Sequence, residues 1–288
     1  MSSLFKKSLN LIMKNPYVIL LLVIYLVIVA SAFPVLFVKA GILAFVLLIL
    51  LTSAFFAGWF GMIKFITSYK ETGNVEEDMK NQFSAFKNEF FSSVPSYILP
   101  LIFYILVFVG ITIAILVGAD KFIGHDNELL NQVAAMAGNQ DVLYNFITTL
   151  PDEAKLVIVK RCIFIYSCFI LYFYLTFYSI PALYFQKTSN PFLGLLNGFI
   201  ALFKKPFLSI GLFILILISN ILLTFIEAIF AYFSSALMFI TFVLRIYFAA
   251  FIVVLIFSVY EKYFTDNCDN RADSIGQDET VDSVGENN

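Results

Sequence analysis

The stretch Asn190-Pro191-Phe192-Leu193-Gly194-Leu195-Leu196-Asn197-Gly198-Phe199-Ile200-Ala201-Leu202-Phe203-Lys204-Lys205-Pro206-Phe207 decides the architecture. Asn190 suits a helix N-cap, and Pro191 suits the first helical position. Gly194, Asn197, Gly198, Ala201, Lys204 and Lys205 recur at helical spacing on one face. Phe192, Leu195, Leu196, Phe199, Leu202 and Phe203 fill the other. Such a helix lies in a membrane interface with its Lys toward phosphates. Pro206 then ends it and starts an apolar run at a new angle.

The same order of features occurs twice more. Lys6, Lys7 and Lys14 precede Asn15-Pro16-Tyr17, and Phe83 to Phe86-Lys87 precedes Pro95-Ser96-Tyr97. In the second copy Asn74 followed by Glu77 has capping-box spacing, and Met79, Phe83, Phe86 and Phe90 make an apolar stripe. The chain reads as three units of about 1–70, 74–186 and 189–260. Each is an amphipathic interfacial helix followed by a transmembrane hairpin. Such a repeat fits a pseudo-symmetric membrane protein; it equally fits a membrane-entry device with Lys marking topology.

Hydrophobic residues make up 61% of the 288 and charged residues 13%, about half the charged share of soluble domains. No soluble core of this size hides that much apolar surface, so the bilayer is the expected solvent. Runs near 16–38, 40–66, 95–117, 156–185, 207–229 and 234–260 are each long enough to cross. Helices satisfy their own backbone in lipid, and the alternation of a barrel is missing. The expected fold class is therefore all-α: a polytopic integral membrane protein with six transmembrane helices in one domain, 1–260. Twelve Lys or Arg fall on one side of the spans and five on the other. Both termini are accordingly expected in the cytoplasm, with the protein in the cell membrane. A rival reading takes Tyr17 to Val29 and Ala30-Ser31-Ala32 as a signal peptide. The apolar run continues past that site, and the segment matches the repeat, which favours a span.

An ionised side chain inside a span costs about 2.5–3.5 kcal/mol or more, so polar residues there are the leading candidates for a site. Arg245 interrupts the sixth run, Glu227 stands near the outer end of the fifth, and Asn220 with Thr224 shares a face of the fifth at i, i+4. Arg245, Glu227 and Asn220 form the candidate intramembrane polar site. Counted from Pro206, Glu227 lies near the outer interface and Arg245 near mid-depth, which argues against a direct pair and for a structural tether of Arg245. Trp59 and Lys64 read as an interface anchor. Gly58/Gly61 and Gly194/Gly198 permit close helix approach. Lys6, Lys7, Lys14, Lys87, Lys204 and Lys205 are expected to contact lipid headgroups, preferentially anionic ones of the inner leaflet.

The outer loop 118–155 is acidic and carries two apolar stripes, 129–136 and 142–147, that suggest short helices over the bundle mouth. From Glu261 eight acidic and two basic residues mark a disordered cytoplasmic tail, 261–288. Cys162, Cys168 and Cys268 make no framework, and His125 with loose carboxylates makes a poor metal set. Hydrolase, protease and nucleotide-binding signatures are missing. No catalytic residue, cofactor, metal or nucleic acid is therefore expected.

The segment Ser179-Ile180-Pro181-Ala182-Leu183, then Gln186-Lys187-Thr188-Ser189-Asn190-Pro191-Phe192-Leu193-Gly194-Leu195, then Phe203-Lys204-Lys205-Pro206-Phe207 resembles prokaryotic six-span membrane families. Among them is the membrane domain attached to some glycerophosphodiester phosphodiesterases. Gln186 stands where those families tend to carry Glu. The resemblance implies a fold and no activity. Two function classes follow: a non-catalytic accessory, assembly or lipid-organising element with an unidentified membrane-protein partner, or a small permease or lipid transporter using the bundle centre.

Overall fold

A computed structural model describes residues 2–69, 75–124, 132, 135–136, 140–233 and 235–265. Every element within them is helical: α1 (Ser2–Lys14), α2 (Tyr17–Ala40), α3 (Ile42–Ser68), α4 (Val75–Ile123), α5 (Gln140–Thr149), α6 (Asp152–Leu175), α7 (Ser179–Phe185), α8 (Pro191–Lys204), α9 (Pro206–Phe233), α10 (Ser235–Tyr260) and a π turn, Glu261–Thr265. Six segments are long and apolar enough to cross a bilayer: Tyr17–Ala40, Ile42–Ser68, Lys87–Ile123, Asp152–Phe185, Pro206–Phe230 and Phe239–Thr265. They coincide with the six runs read from the sequence. Asn74, His125, Asp126 and the tail beyond Thr265 lie outside the described residues.

Prolines set three element boundaries. Pro16 precedes α2, Pro206 opens α9, and Pro191 opens α8 behind Asn190, whose side chain accepts from Phe192 N at 3.0 Å. Pro95 behaves differently. It and Pro100 lie inside the continuous helix α4, so the expected break between a second interfacial helix and its span is not there. A proline removes one backbone donor, a loss that a helix in a membrane setting tolerates. Gly41, at φ +49°, makes the turn between α2 and α3.

The chain divides into two compact units. The first comprises Met1–Tyr104 and Thr176–Asn288. In it α10 packs against α1, α2, α3, α7 and α9. Its core gathers Ile12, Val18, Trp59, Met62, Ile63, Tyr184, Ala250, Val254 and Phe257. Two hydroxyls in that core have partners: Tyr184 Oη donates to Ala57 O at 2.8 Å, and Tyr25 Oη bonds Thr52 Oγ1 at 2.7 Å. The second unit, Ile105–Leu175, sets α4 beside α6. Phe108 meets Phe169, Tyr172 and Phe173, and Arg161 pairs with Asp120. Its α5 covers the second apolar stripe of the outer loop.

Trp59 corrects one expectation. It is not an interface anchor; it is 2% exposed, and its Nε1 donates to Val18 O at 2.9 Å. Phe56, Phe60 and, through Phe60, Phe257 surround it with a ring cluster. The first residues of the supposed tail also differ from expectation. Glu261–Thr265 continue the helix as a π turn, with Phe264 buried against Tyr178 at 5.2 Å between ring centres.

Candidate functional site

Two polar constellations stand out in the first unit, one at its basic end and one on the α9–α10 pair. At the basic end, α1 buries Leu4, Ser8 and Ile12 on one face and exposes Ser3, Lys6, Lys7, Asn10 and Lys14 on the other, as its spacing predicts. The buried face does not rest on lipid. It packs on α10, where Phe5 meets Phe251 edge-on and Ser8 Oγ donates to Ser258 Oγ at 3.4 Å. The polar face, with Tyr69, lines an open cleft of about 450 Å³.

The π turn draws cations from separate elements to this end. Glu261 pairs with Lys7 at 3.6 Å, and Lys7 Nζ also donates to Thr67 O at 3.3 Å. Lys7 is thus a strap between α1, α3 and the end of α10, not a headgroup contact alone. Tyr263 lies under Lys205 at 4.5 Å and near Lys262 at 5.6 Å. Lys6, Lys87 and Lys204 are exposed.

The small-residue face of α8 was read as pointing to phosphates; it points inward. Gly194, Gly198, Ala201 and Leu202 are buried, and α8 packs on α7. A Cβ on Gly198 would stand 2.6 Å from the Ser179 backbone, and one on Gly194 would collide with Tyr104 Oη. Leu202, assigned to the lipid face, belongs to the buried one. Asn197 bonds Gln186, whose amide donates to Tyr260 Oη at 3.3 Å. The Asn face therefore ties α8 to α10.

On the α9–α10 pair the structure brings together residues that the depth count had separated. Arg245 Nη2 lies 2.6 Å from Glu227 Oε2 and donates to Thr224 Oγ1 at 3.0 Å. Thr224 Oγ1 donates back to Asn220 O at 3.0 Å. The expected fifth span ended near 229, two residues past Glu227, whereas α9 continues to Phe233. Counted from their shared turn, Glu227 lies six residues before the end of α9 at Phe233 and Arg245 ten after the start of α10 at Ser235. That difference is four residues, about 6 Å of rise, and a guanidinium stem crosses it. Asn220, Thr224 and Glu227 fall at i, i+4 and i+7, one face of α9. This face is not a bundle interior: Asn220, Thr224 and Arg245 are exposed.

Among the described residues no group of three His, Cys, Asp or Glu could hold a metal ion. Asp120 is engaged by Arg161. Cys162 and Cys168 are free thiols. No protein-family model matches the chain, and comparison with curated proteins and with solved structures likewise gives no match.

Proposed function

We propose that the protein is a non-catalytic integral element of the cytoplasmic membrane, an assembly or lipid-organising component without a transport path. Its six apolar helices would form three hairpins, with α1, the start of α4 and α8 on the cytoplasmic side and both termini there. The observation that carries this reading is the filling of the first unit. Trp59, Met62, Ile63, Tyr184 and Phe257 are almost wholly buried, and Phe60 joins the rings of Trp59, Tyr184 and Phe257. A permease needs polar side chains converging inside the bundle beside broken helices; toward the basic end of this unit the buried interior is aromatic and aliphatic. The Lys6, Lys14 and Tyr69 cleft supports contact with anionic headgroups, each Lys contributing about 1 kcal/mol near such a surface.

The test is reconstitution into liposomes, followed by solute-flux and lipid-scrambling assays. Neither rate is expected to exceed that of protein-free vesicles. Flux abolished by Arg245→Leu would establish a permease in its place.

A further inference from the structure

The α9 stripe poses a problem that the bilayer does not solve. Asn220 lies fourteen residues from Pro206 and thirteen from Phe233, the middle of α9, and is exposed. Its carboxamide makes no hydrogen bond among the described residues; only its backbone oxygen is engaged, by Thr224. Three residues beyond Thr224, the Glu227 and Arg245 side chains keep 24% and 47% of their surface accessible although they already touch. The flanking residues are apolar and also exposed: Leu222, Phe225, Ile226 and Leu244. Hydrocarbon offers neither donor nor acceptor, and mid-helix depth keeps Asn220 from headgroups and water.

We propose that this stripe is the contact face of a homodimer within the membrane, formed by α9 and α10 of two copies inserted in the same direction. The stripe is complementary to itself. A carboxamide both donates and accepts, so Asn220 pairs with its own copy about a two-fold axis along the membrane normal. Glu227 and Arg245 cancel in charge within a copy and present both signs outward. Each therefore finds its opposite in a rotated copy. A foreign helix of one charge sign would leave either Glu227 or Arg245 opposed, and a lipid phosphate would match Arg245 while repelling Glu227. Amides and ion pairs of this kind are among the forces that join helices in lipid, where apolar contact alone gives no preference over the chains of the bilayer. The proposal rests on the assembly reading above and names its partner as a second copy of this chain.

The experiment uses the full chain, labelled at one site, in liposomes at high lipid-to-protein ratio, with subunits counted by single-molecule photobleaching. Wild type is expected to bleach in two steps, and Asn220→Leu, which removes no described side-chain contact, to weaken association about tenfold. The decisive arm crosses charges. Arg245→Glu and Glu227→Arg each break the pair within a copy and oppose like charges between copies, so each alone is expected to be monomeric. Mixed in one vesicle, the two variants are expected to form a heterodimer seen by energy transfer between two dyes. A pair confined within each chain cannot be rescued by mixing. Wild type that bleaches in one step at every ratio overturns the proposal. So do single variants that remain dimeric, failure of the mixed variants to pair while both keep wild-type helix content, and wild type held one-to-one by a different membrane protein on this face. Flux in the same vesicles would overturn the non-transporting reading and leave the subunit count untouched.

Discussion

At the scale of single residues, Trp59 is the most exacting position in the first unit. Trp59→Phe deletes the N–H that donates to Val18 O at 2.9 Å, leaves that space unfilled, and keeps one aromatic ring. A loss of about 1–3 kcal/mol is expected, read as a lower thermal midpoint of the detergent-solubilised protein. An unchanged midpoint would refute the packing role. The sequence placed Trp59 at an interface because it stands near the end of an apolar run with Lys64 one turn on. What decides its burial is lateral: Phe257 and Tyr184 reach Phe60 beside it from distant parts of the chain, and nothing local announces them. The Arg245–Glu227 pair was missed for a related reason. Both residues were legible as candidates, but α9 runs on to Phe233, past the expected end of its span near 229. Glu227 therefore lies deeper than its sequence position suggests, within reach of Arg245.

At the scale of elements, two substitutions in the α7–α8 pair have opposite expected signs. Gly198→Ala sets a methyl 2.6 Å from the Ser179 Cα and N. Those are backbone atoms, so the helices must separate; a loss of about 1–3 kcal/mol is expected. Lys187 holds φ at +50° to close α7, with Thr188 N donating to Leu183 O at 3.3 Å. Glycine adopts that backbone without the Cβ penalty, so Lys187→Gly is expected to gain about 1 kcal/mol. Paired thermal melts of the two variants check both signs. Element boundaries were largely readable where polar caps and prolines coincide: Asn190 with Pro191, Asn15 with Pro16, Lys205 with Pro206. Pro95 misled because a proline alone does not stop a helix in a membrane setting, where serine side chains can take up freed backbone groups. Near it Ser92 Oγ donates to Glu89 O at 3.3 Å and Ser96 Oγ to Ser92 O at 3.5 Å, both local bonds that follow the helix. The glycines of α8 were seen as able to bring helices together. Which face would bury them was not legible, because α7 supplies the opposing surface and is itself only Ser179–Phe185 long.

At the scale of the whole molecule, the six spans follow from composition, while the way the helices recruit α10 does not. The lysines expected at lipid headgroups differ among themselves: Lys7 is bound to Glu261 and Lys205 stacks on Tyr263, whereas Lys6 and Lys204 stay exposed. The double change Lys6→Gln with Lys204→Gln is therefore expected to lower retention of anionic lipid, seen by native mass spectrometry, by about 1 kcal/mol per site, with the melting midpoint in neutral detergent unchanged. A lowered midpoint would assign those two lysines to packing. The meeting of α1 with α10 has a consequence for synthesis. Ser8 and Ser258 touch across 250 positions, so the buried side of the first helix made must wait for the last of the ten, while Ile105–Leu175 is continuous in sequence and can close earlier. During translation α1 would sit at the translocon or on the membrane surface with Leu4 and Ile12 uncovered. A ribosome arrested before Val254 should leave a cysteine placed at position 8 open to alkylation, and the completed chain should shield it.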